Sequence, residues 1–337
     1  LLSVAAGALF ATLTGVAMGS VAMLGSTLAP DMQKRGYSKS MSLGPILASG
    51  SLAIMIPPTA LGVILASLGR IPVGKLLVGI ILPGLLLAVV YAAYIIVRCT
   101  LQPSLAPAYD VSPTPLGRRV RNTLRYVVPL ISVIFIVIGT IFFGIATPTE
   151  AAGVGALLCF SLAAAYGKLT WAVTKKAVGS AVSISVMVLI ILTGSAAFSQ
   201  ILAFAGVTGS LTKLGVGLPV HPIVILILMQ IILVFLGMFI EQTSIILVTI
   251  PIYMPIVSAL GWDPVWFGAI MLLNLELATI SPPFGMSLFV MKGIASPDTT
   301  MGDIYRAALP FVGLNLLVMA IMIFYPAVVL WLPSFMR

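Results

Sequence analysis

Asn274-Leu275-Glu276-Leu277-Ala278-Thr279-Ile280-Ser281-Pro282-Pro283 sets two consecutive prolines inside a long apolar run, 264–291. Proline supplies no backbone N–H and its ring crowds the carbonyl four residues earlier, so this pair ends a helix and releases the carbonyls of Ala278 and Thr279. The pattern is written twice. Pro30, Gly36, Pro57 and Pro58 are matched by Pro255, Gly261, Pro282 and Pro283, each 225 positions later. The first pair releases the carbonyls of Ala53 and Ile54. In hydrocarbon such carbonyls persist only where protein, water or a cation satisfies them. A ring of main-chain oxygens suits sodium, and the fresh helix N-terminus beyond each break suits a carboxylate. A single Pro-Pro pair reads more readily as a kinked membrane helix whose carbonyls are repaired by neighbouring Ser and Thr. The matched second pair favours two halves, each broken at membrane depth, as in a transporter built around a central site.

Composition agrees. Of 337 residues 61% are hydrophobic and 7% charged, with a mean hydropathy of +1.22, which is the signature of a polytopic membrane protein. Apolar runs near the roughly 20 residues of a bilayer span recur along the chain. The reading is an all-α polytopic membrane protein of two inverted repeats, each with a re-entrant helical hairpin and a broken transmembrane helix. The first repeat covers 1–98, with a hairpin at 1–30, a broken helix at 42–69 and a helix at 73–97. Residues 99–125, rich in proline and arginine, form a cytoplasmic linker between the repeats. The second repeat covers 126–337, with scaffold helices in 126–204, a hairpin at 222–260, a broken helix at 264–291 and a final helix at 303–333. Because the chain opens at Leu1 inside an apolar stretch, the expectation is that N-terminal scaffold helices are missing from it.

The formal charge of +9 does not indicate nucleic acid, because the basic residues sit in short loops and report orientation. Lys34, Arg35 and Lys39, then Arg98 with Arg118, Arg119, Arg121 and Arg125, then Lys168, Lys175 and Lys176, then Lys292 with Arg306, are all placed inside. Cys99, Cys159 and a lone His221 beside Pro222 offer no metal-ligand spacing. His221 is read as an interfacial residue at a helix start. Upstream of each break a small or polar segment interrupts an apolar run: 14–20, from Thr14 and Gly15 to Gly19 and Ser20, and 237–244, from Gly237 to Ser244. Each is read as a hairpin tip that closes on the break of its own half. Glu241 and Glu276 are the candidate intramembrane carboxylates, although Glu241 also fits an ordinary outer loop.

These residues, taken together, resemble a known family. Gly144-Ile145-Ala146-Thr147-Pro148-Thr149-Glu150-Ala151-Ala152, Gly237-Met238-Phe239-Ile240-Glu241, and the stretch from Asn274 to Pro283 are similar to the large membrane subunit of tripartite ATP-independent periplasmic (TRAP) transporters, within the ion transporter superfamily. Arg35-Gly36-Tyr37, Gly50-Ser51-Leu52 through Ile56-Pro57-Pro58, and Leu260-Gly261-Trp262-Asp263-Pro264 agree in order and spacing. The resemblance implies sodium-gradient-driven uptake of an organic carboxylate by an elevator mechanism, in a bacterial inner membrane. It implies a small TRAP membrane subunit and a periplasmic substrate-binding protein as partners, no enzyme activity, and no cofactor beyond Na+ as coupling ion. Family sodium sites carry over to Gly19, Ser20, Ala53, Ile56 and Pro58, and to Gly237, Ala278, Ser281 and Phe284. Thr14, Gly15, Pro57, Glu241, Thr243, Asn274, Glu276, Pro282 and Pro283 are the substrate and hairpin-tip candidates. A stand-alone sodium/dicarboxylate carrier would share the broken helices. A channel would need a continuous polar face, and an intramembrane enzyme a nucleophile or metal constellation; neither is visible in the sequence.

Overall fold

A computed structural model describes residues 1–14, 17–107, 115–217 and 219–336, the side chains of 11–14 and 214–216 excepted. All regular structure among the described residues is helical. Gly15, and the side chain of Thr14, lie outside what is described. Helices α1 (Leu2–Thr14) and α2 (Ala17–Lys34) run antiparallel, with Ser3 Oγ 3.8 Å from Met32 Sδ. The chain then turns at Gly36, which adopts φ 83°. The Tyr37 N–H donates back to the Met32 carbonyl (3.1 Å) and the Gly36 N–H to that of Gln33 (3.0 Å), a left-handed helix ending that favours glycine. Ser38 caps α3 (Lys39–Met55) by accepting from the Met41 N–H at 3.3 Å. After a break at 56–59 the chain resumes as α4 (Ala60–Gly69), bent from α3 by 43°.

The expected helix 73–97 is present within one apolar span, Val73–Leu101, in which α5 (Val73–Gly79) passes into α6 (Ile81–Leu101) through an irregular turn at Ile80, because Pro83 brings no N–H to the Gly79 carbonyl. The expected linker is also largely helical. A 3-10 turn at Pro103–Leu105 offers its Leu105 carbonyl to the Ser38 N–H (3.0 Å), and α7 (Leu116–Asn122) passes through a π-turn at Thr123–Val127 into α8 (Val128–Phe142). Pro129 falls in the first turn of α8, where a missing N–H costs little. Then come α9 (Pro148–Ala165), α10 (Trp171–Phe204) and α11 (Val207–Gly217), the last not foreseen from its mixed Gly, Thr and Lys composition. At 34 residues α10 is about 51 Å long, well beyond the ~30 Å hydrocarbon core.

The local geometry of the first half recurs in the second. Helices α12 (Pro222–Gly237) and α13 (Gln242–Ala259) are antiparallel, joined where Tyr253 Oη donates to the Met229 carbonyl at 3.1 Å. Gly261 (φ 69°) ends α13 as Gly36 ends α2, with the Trp262 N–H on the Val257 carbonyl at 3.0 Å. Asp263 caps α14 (Pro264–Thr279) through the Val265 and Trp266 N–H groups at 2.7 and 3.1 Å. After the second break α15 (Met286–Ile294) leads to α16 (Met301–Phe324). The expected single helix 303–333 stops at Phe324, since Pro326 disfavours helix in the residue before it, and only α17 (Ala327–Leu330) and a 3-10 turn follow.

Packing places the two breaks back to back. In α14 every residue from Val265 to Thr279 is buried, and in α3 every residue from Met41 to Met55. Small residues permit the contacts: a Cβ on Gly44 would lie 2.6 Å from the Ala307 carbonyl oxygen, and one on Gly25 would lie 2.3 Å from Ile294 Cδ1. In lipid such close fits, rather than hydrophobic exclusion from water, hold helices together. The half-helices exchange partners, α15 packing on α2 and α4 on α13. The start of α3 meets the connection from α15 to α16, where Lys39 Nζ binds Asp298 (2.9 Å) and Asp303 of the first turn of α16 (3.3 Å). At the opposite end Ile71 lies beside Gly268, so the two broken helices run antiparallel. Helices α8, α9 and α10 stand apart and expose most of their apolar surface.

Candidate functional site

At the second break the last turn of α14 tightens instead of opening fully. The Ala278 carbonyl accepts the Ser281 N–H at 3.3 Å, so it is not released as proline chemistry alone predicts. The Thr279 carbonyl has no donor among the described residues, and it converges with that of Ser281 on Gly285. A Cβ there would lie 2.4 Å from Thr279 O and 2.8 Å from Ser281 O. Glycine at 285 is therefore a requirement of the break, missed in the sequence because a lone glycine after Pro-Pro-Phe reads as a loop residue. Ser281 Oγ donates to the Leu277 carbonyl at 2.7 Å, which leaves the lone pairs of its oxygen able to face a cation. The tip of the α12–α13 hairpin lies against this turn: a Cβ on Gly237 would come within 2.3 Å of Ala278 Cβ.

The first break follows the same plan. Pro57-Pro58 is cis, as is Pro282-Pro283. The Ile56 N–H still reaches the Leu52 carbonyl (3.0 Å), while the carbonyls of Ala53 and Ile54 have no donor among the described residues. Ala17 and Ala53 pack together, both buried, and Ala17 presents its carbonyl oxygen 3.3 Å from where a Cβ on Gly50 would sit. Position for position this matches Gln242 and Leu275 in the second half, where Gln242 Nε2 donates to the Leu275 carbonyl at 3.0 Å. Gly84 was not anticipated either; a Cβ on it would lie 2.2 Å from the Met55 carbonyl oxygen. Two apolar crevices, of about 590 and 460 Å³, separate this region from α8 and α9. Pro58, Val133 and Ile141 line one, and Ile56, Pro57 and Phe135 the other.

The structure thus gathers the expected residues by half. Ser20, Ala53 and Pro57 are buried on the first side, with Ile56 half-buried and Gly19 and Pro58 exposed; Gly237, Ala278 and Ser281 are buried on the second, with Phe284 exposed and its ring tilted by 40° against that of Phe239 at 5.1 Å. Tyr305 Oη donates to the Pro283 carbonyl at 2.7 Å, and Pro282 is half-buried. Other candidates make hydrogen bonds within the fold. Glu241 caps α13, accepting from the Thr243 and Ser244 N–H groups (2.8 and 3.2 Å) and from Thr243 Oγ1 (2.9 Å). Asn274 Nδ2 donates to the carbonyl and the side-chain oxygen of Gln230 (2.9 and 2.8 Å), tying α14 to α12. Glu276 is fully buried beside Thr279 and Gln242, with Oε1 unpartnered. Thr147 and Glu150 of the Thr-Pro-Thr-Glu motif form a capping box on α9, and His221 caps α12.

The family model described as "Tripartite ATP-independent periplasmic transporter, DctM component" matches residues 1–328. This chain belongs to the TRAP transporter DctM family. It is therefore a multi-pass membrane protein of the inner membrane, and its relatives are permeases rather than enzymes. It is 31% identical, over 97% of its length and 75% of the relative's, to the C4-dicarboxylate TRAP transporter large permease protein DctM of Pseudomonas aeruginosa. The isethionate TRAP transporter permease protein DctMQ of Oleidesulfovibrio alaskensis is 30% identical over 95% of this chain and 49% of the relative. The sialic acid TRAP transporter large permease protein SiaM of Vibrio cholerae is 28% identical over 98% and 76%. Among solved structures, the YdaH transporter of Alcanivorax borkumensis superposes with a TM-score of 0.55, covering 96% of this chain and 86% of that one. At 15% identity that likeness speaks for the fold alone.

Proposed function

We propose that this TRAP permease takes up an organic carboxylate, delivered by a periplasmic binding protein, using a sodium gradient and an elevator motion. What carries the reading is the pair of antiparallel broken helices, each with a hairpin tip packed on its break. The antiparallel course suits an inverted repeat. So does charge: the Gly36 turn carries Lys34, Arg35 and Lys39, whereas the matching Gly261 turn carries no basic residue, as expected on opposite membrane faces. The second hairpin is re-entrant in this reading, since α12 with 16 residues reaches only about 24 Å into the bilayer, and the first is read as its match. The exchanged packing of α15 on α2 and of α4 on α13 makes the hairpins and broken helices one block. That block moves along the apolar crevices that part it from α8 and α9.

Sodium sits at the breaks, at the free carbonyls of Ala53 and Ile54 with the first tip near Gly19 and Ser20, and at the free carbonyl of Thr279 beside that of Ser281, which also accepts the Gly285 N–H at 3.0 Å, with the second tip at Gly237. Each net positive charge carried inward draws roughly 2.3 kcal/mol per 100 mV, so two or more sodium ions per anion would make uptake concentrative. A small membrane subunit covers part of the exposed apolar surface of α8–α10. The test is uptake of labelled carboxylates into proteoliposomes holding the full-length subunit and its small partner. Dependence on both a sodium gradient and the binding protein is expected. Uptake with sodium alone would point to a stand-alone carrier, and sodium-independent flux would defeat the proposal. Pro283→Ala, which returns an N–H able to close on the Thr279 carbonyl, should weaken sodium dependence before it weakens expression.

A further inference from the structure

The two breaks match in plan but differ at the helix ends that face an anion. In the first half the N-terminus of α4 is capped from within: Thr59, itself buried, accepts the Gly62 N–H on its Oγ1 at 3.3 Å. In the second half the N-cap is Gly285, and α15 has no side-chain cap. No side chain can be added there, because the Thr279 and Ser281 carbonyls occupy the space a Cβ would need. The N–H groups of Met286 and Ser287 have no acceptor among the described residues. Ser287, in the second position of the helix and 1% exposed, also has a hydroxyl without any hydrogen-bond partner. A buried hydroxyl left unmatched costs free energy, so its retention at an uncapped positive helix end calls for a ligand.

We infer that the carboxylate of the transported anion binds at the N-terminus of α15, accepting hydrogen bonds from the Met286 and Ser287 N–H groups and from Ser287 Oγ. The matching end of α4 takes no such group, since Thr59 already supplies the acceptor. The proximity of the Thr279 and Ser281 carbonyls gives the subsite its cation dependence: a sodium ion on those oxygens lies beside the carboxylate and neutralises it. The exposed Phe239–Phe284 pair flanks the same turn and offers an apolar wall to the remainder of the molecule. The substrate class is then an organic anion with one carboxylate held at α15 and an apolar flank against the two rings. This inference rests on the transport reading above and names where its substrate is held.

The experiment uses full-length protein with its small partner in proteoliposomes and the probes succinate and N-acetylneuraminate, measuring the KM and maximal rate of uptake and, separately, sodium binding. A hydrogen bond to a charged group is worth roughly ten- to hundredfold in affinity. Ser287→Ala should therefore raise KM by roughly that factor while the sodium affinity of the empty transporter stays within about twofold. Ser287→Thr, which keeps the hydroxyl, should restore most of the loss. Thr59→Ala should lower thermal stability without raising KM. If wild type transports a probe and Ser287→Ala matches it in KM, the subsite assignment is overturned and the transport reading survives. If wild type, with its binding protein, transports and binds neither probe, the carboxylate reading falls and the subsite with it.

Discussion

Gly237→Ala is the sharpest perturbation the structure offers. The added methyl would lie 2.3 Å from Ala278 Cβ, whereas carbon atoms rest at about 3.5–4.0 Å. The hairpin tip must therefore retreat from α14 by more than about 1 Å. Neither partner can yield by rotating a side chain, because both are methyl groups fixed to helix backbone. Overpacking of this kind costs about 1–3 kcal/mol, and the cost falls on the closed tip, where the proposed cation is held. At 1.4 kcal/mol per tenfold, sodium affinity should fall about 5- to 140-fold. The assay is sodium titration of uptake in proteoliposomes, paired with sodium-induced thermal stabilisation in detergent. Ala278→Gly removes the opposing methyl, so the double variant should recover most of the loss, a coupling that a double-mutant cycle measures. Sodium affinity of Gly237→Ala within twofold of wild type, or no recovery in the double variant, would refute the claim that this contact shapes the sodium site.

Three further outcomes follow from the same geometry. Gly285→Ala drives a methyl into the Thr279 carbonyl oxygen at 2.4 Å; backbone cannot step aside cheaply, so a loss of about 3 kcal/mol or more is expected. A melting curve indistinguishable from wild type would show that the carbonyls do not converge there. Asn274→Ala strips the Gln230 side-chain oxygen of its donor within a buried interface, and unfolding should become easier by about 1–3 kcal/mol; Asn274→Asp should not rescue it, since it too lacks the donor. The Lys39 ammonium, with help from the Ser296 hydroxyl, holds the Asp298 carboxyl down at about 2 against an ordinary 3.8. A depressed acid contributes stability that is complete above its unfolded value and is lost as pH falls through its folded value. Wild type should therefore lose its advantage over Lys39→Met between about pH 4 and pH 2, and a melting difference that is constant with pH would exclude the linkage.

Much of the plan is local and therefore legible. The Pro-Pro pairs end helices by their own covalent structure, Gly36 and Gly261 end α2 and α13 in the left-handed region, and the 225-residue offset survives because each half solves the same local problem. The early end of the 303–333 run was missed because Pro326 lies in a run apolar enough to mask it. Arg118 to Arg125, which read equally as a cytoplasmic loop or as an amphipathic entry to the next span, ride on helix continuous with that span from Leu116 to Phe142.

Composition and proline position alone determine that this chain is a helical membrane protein broken twice at matched points, because hydrocarbon demands satisfied backbones and proline withholds a donor. The fate of each polar group was decided only in three dimensions. Ala278 regains a donor while Thr279 does not, Glu241 and Asn274 turn out to serve caps and ties, and Thr59 closes one helix end while Gly285 leaves the other open. Those outcomes depend on which atoms lie within 3 Å across helices remote in sequence, such as α3 with α14 or α2 with α15, and no local pattern encodes such distances.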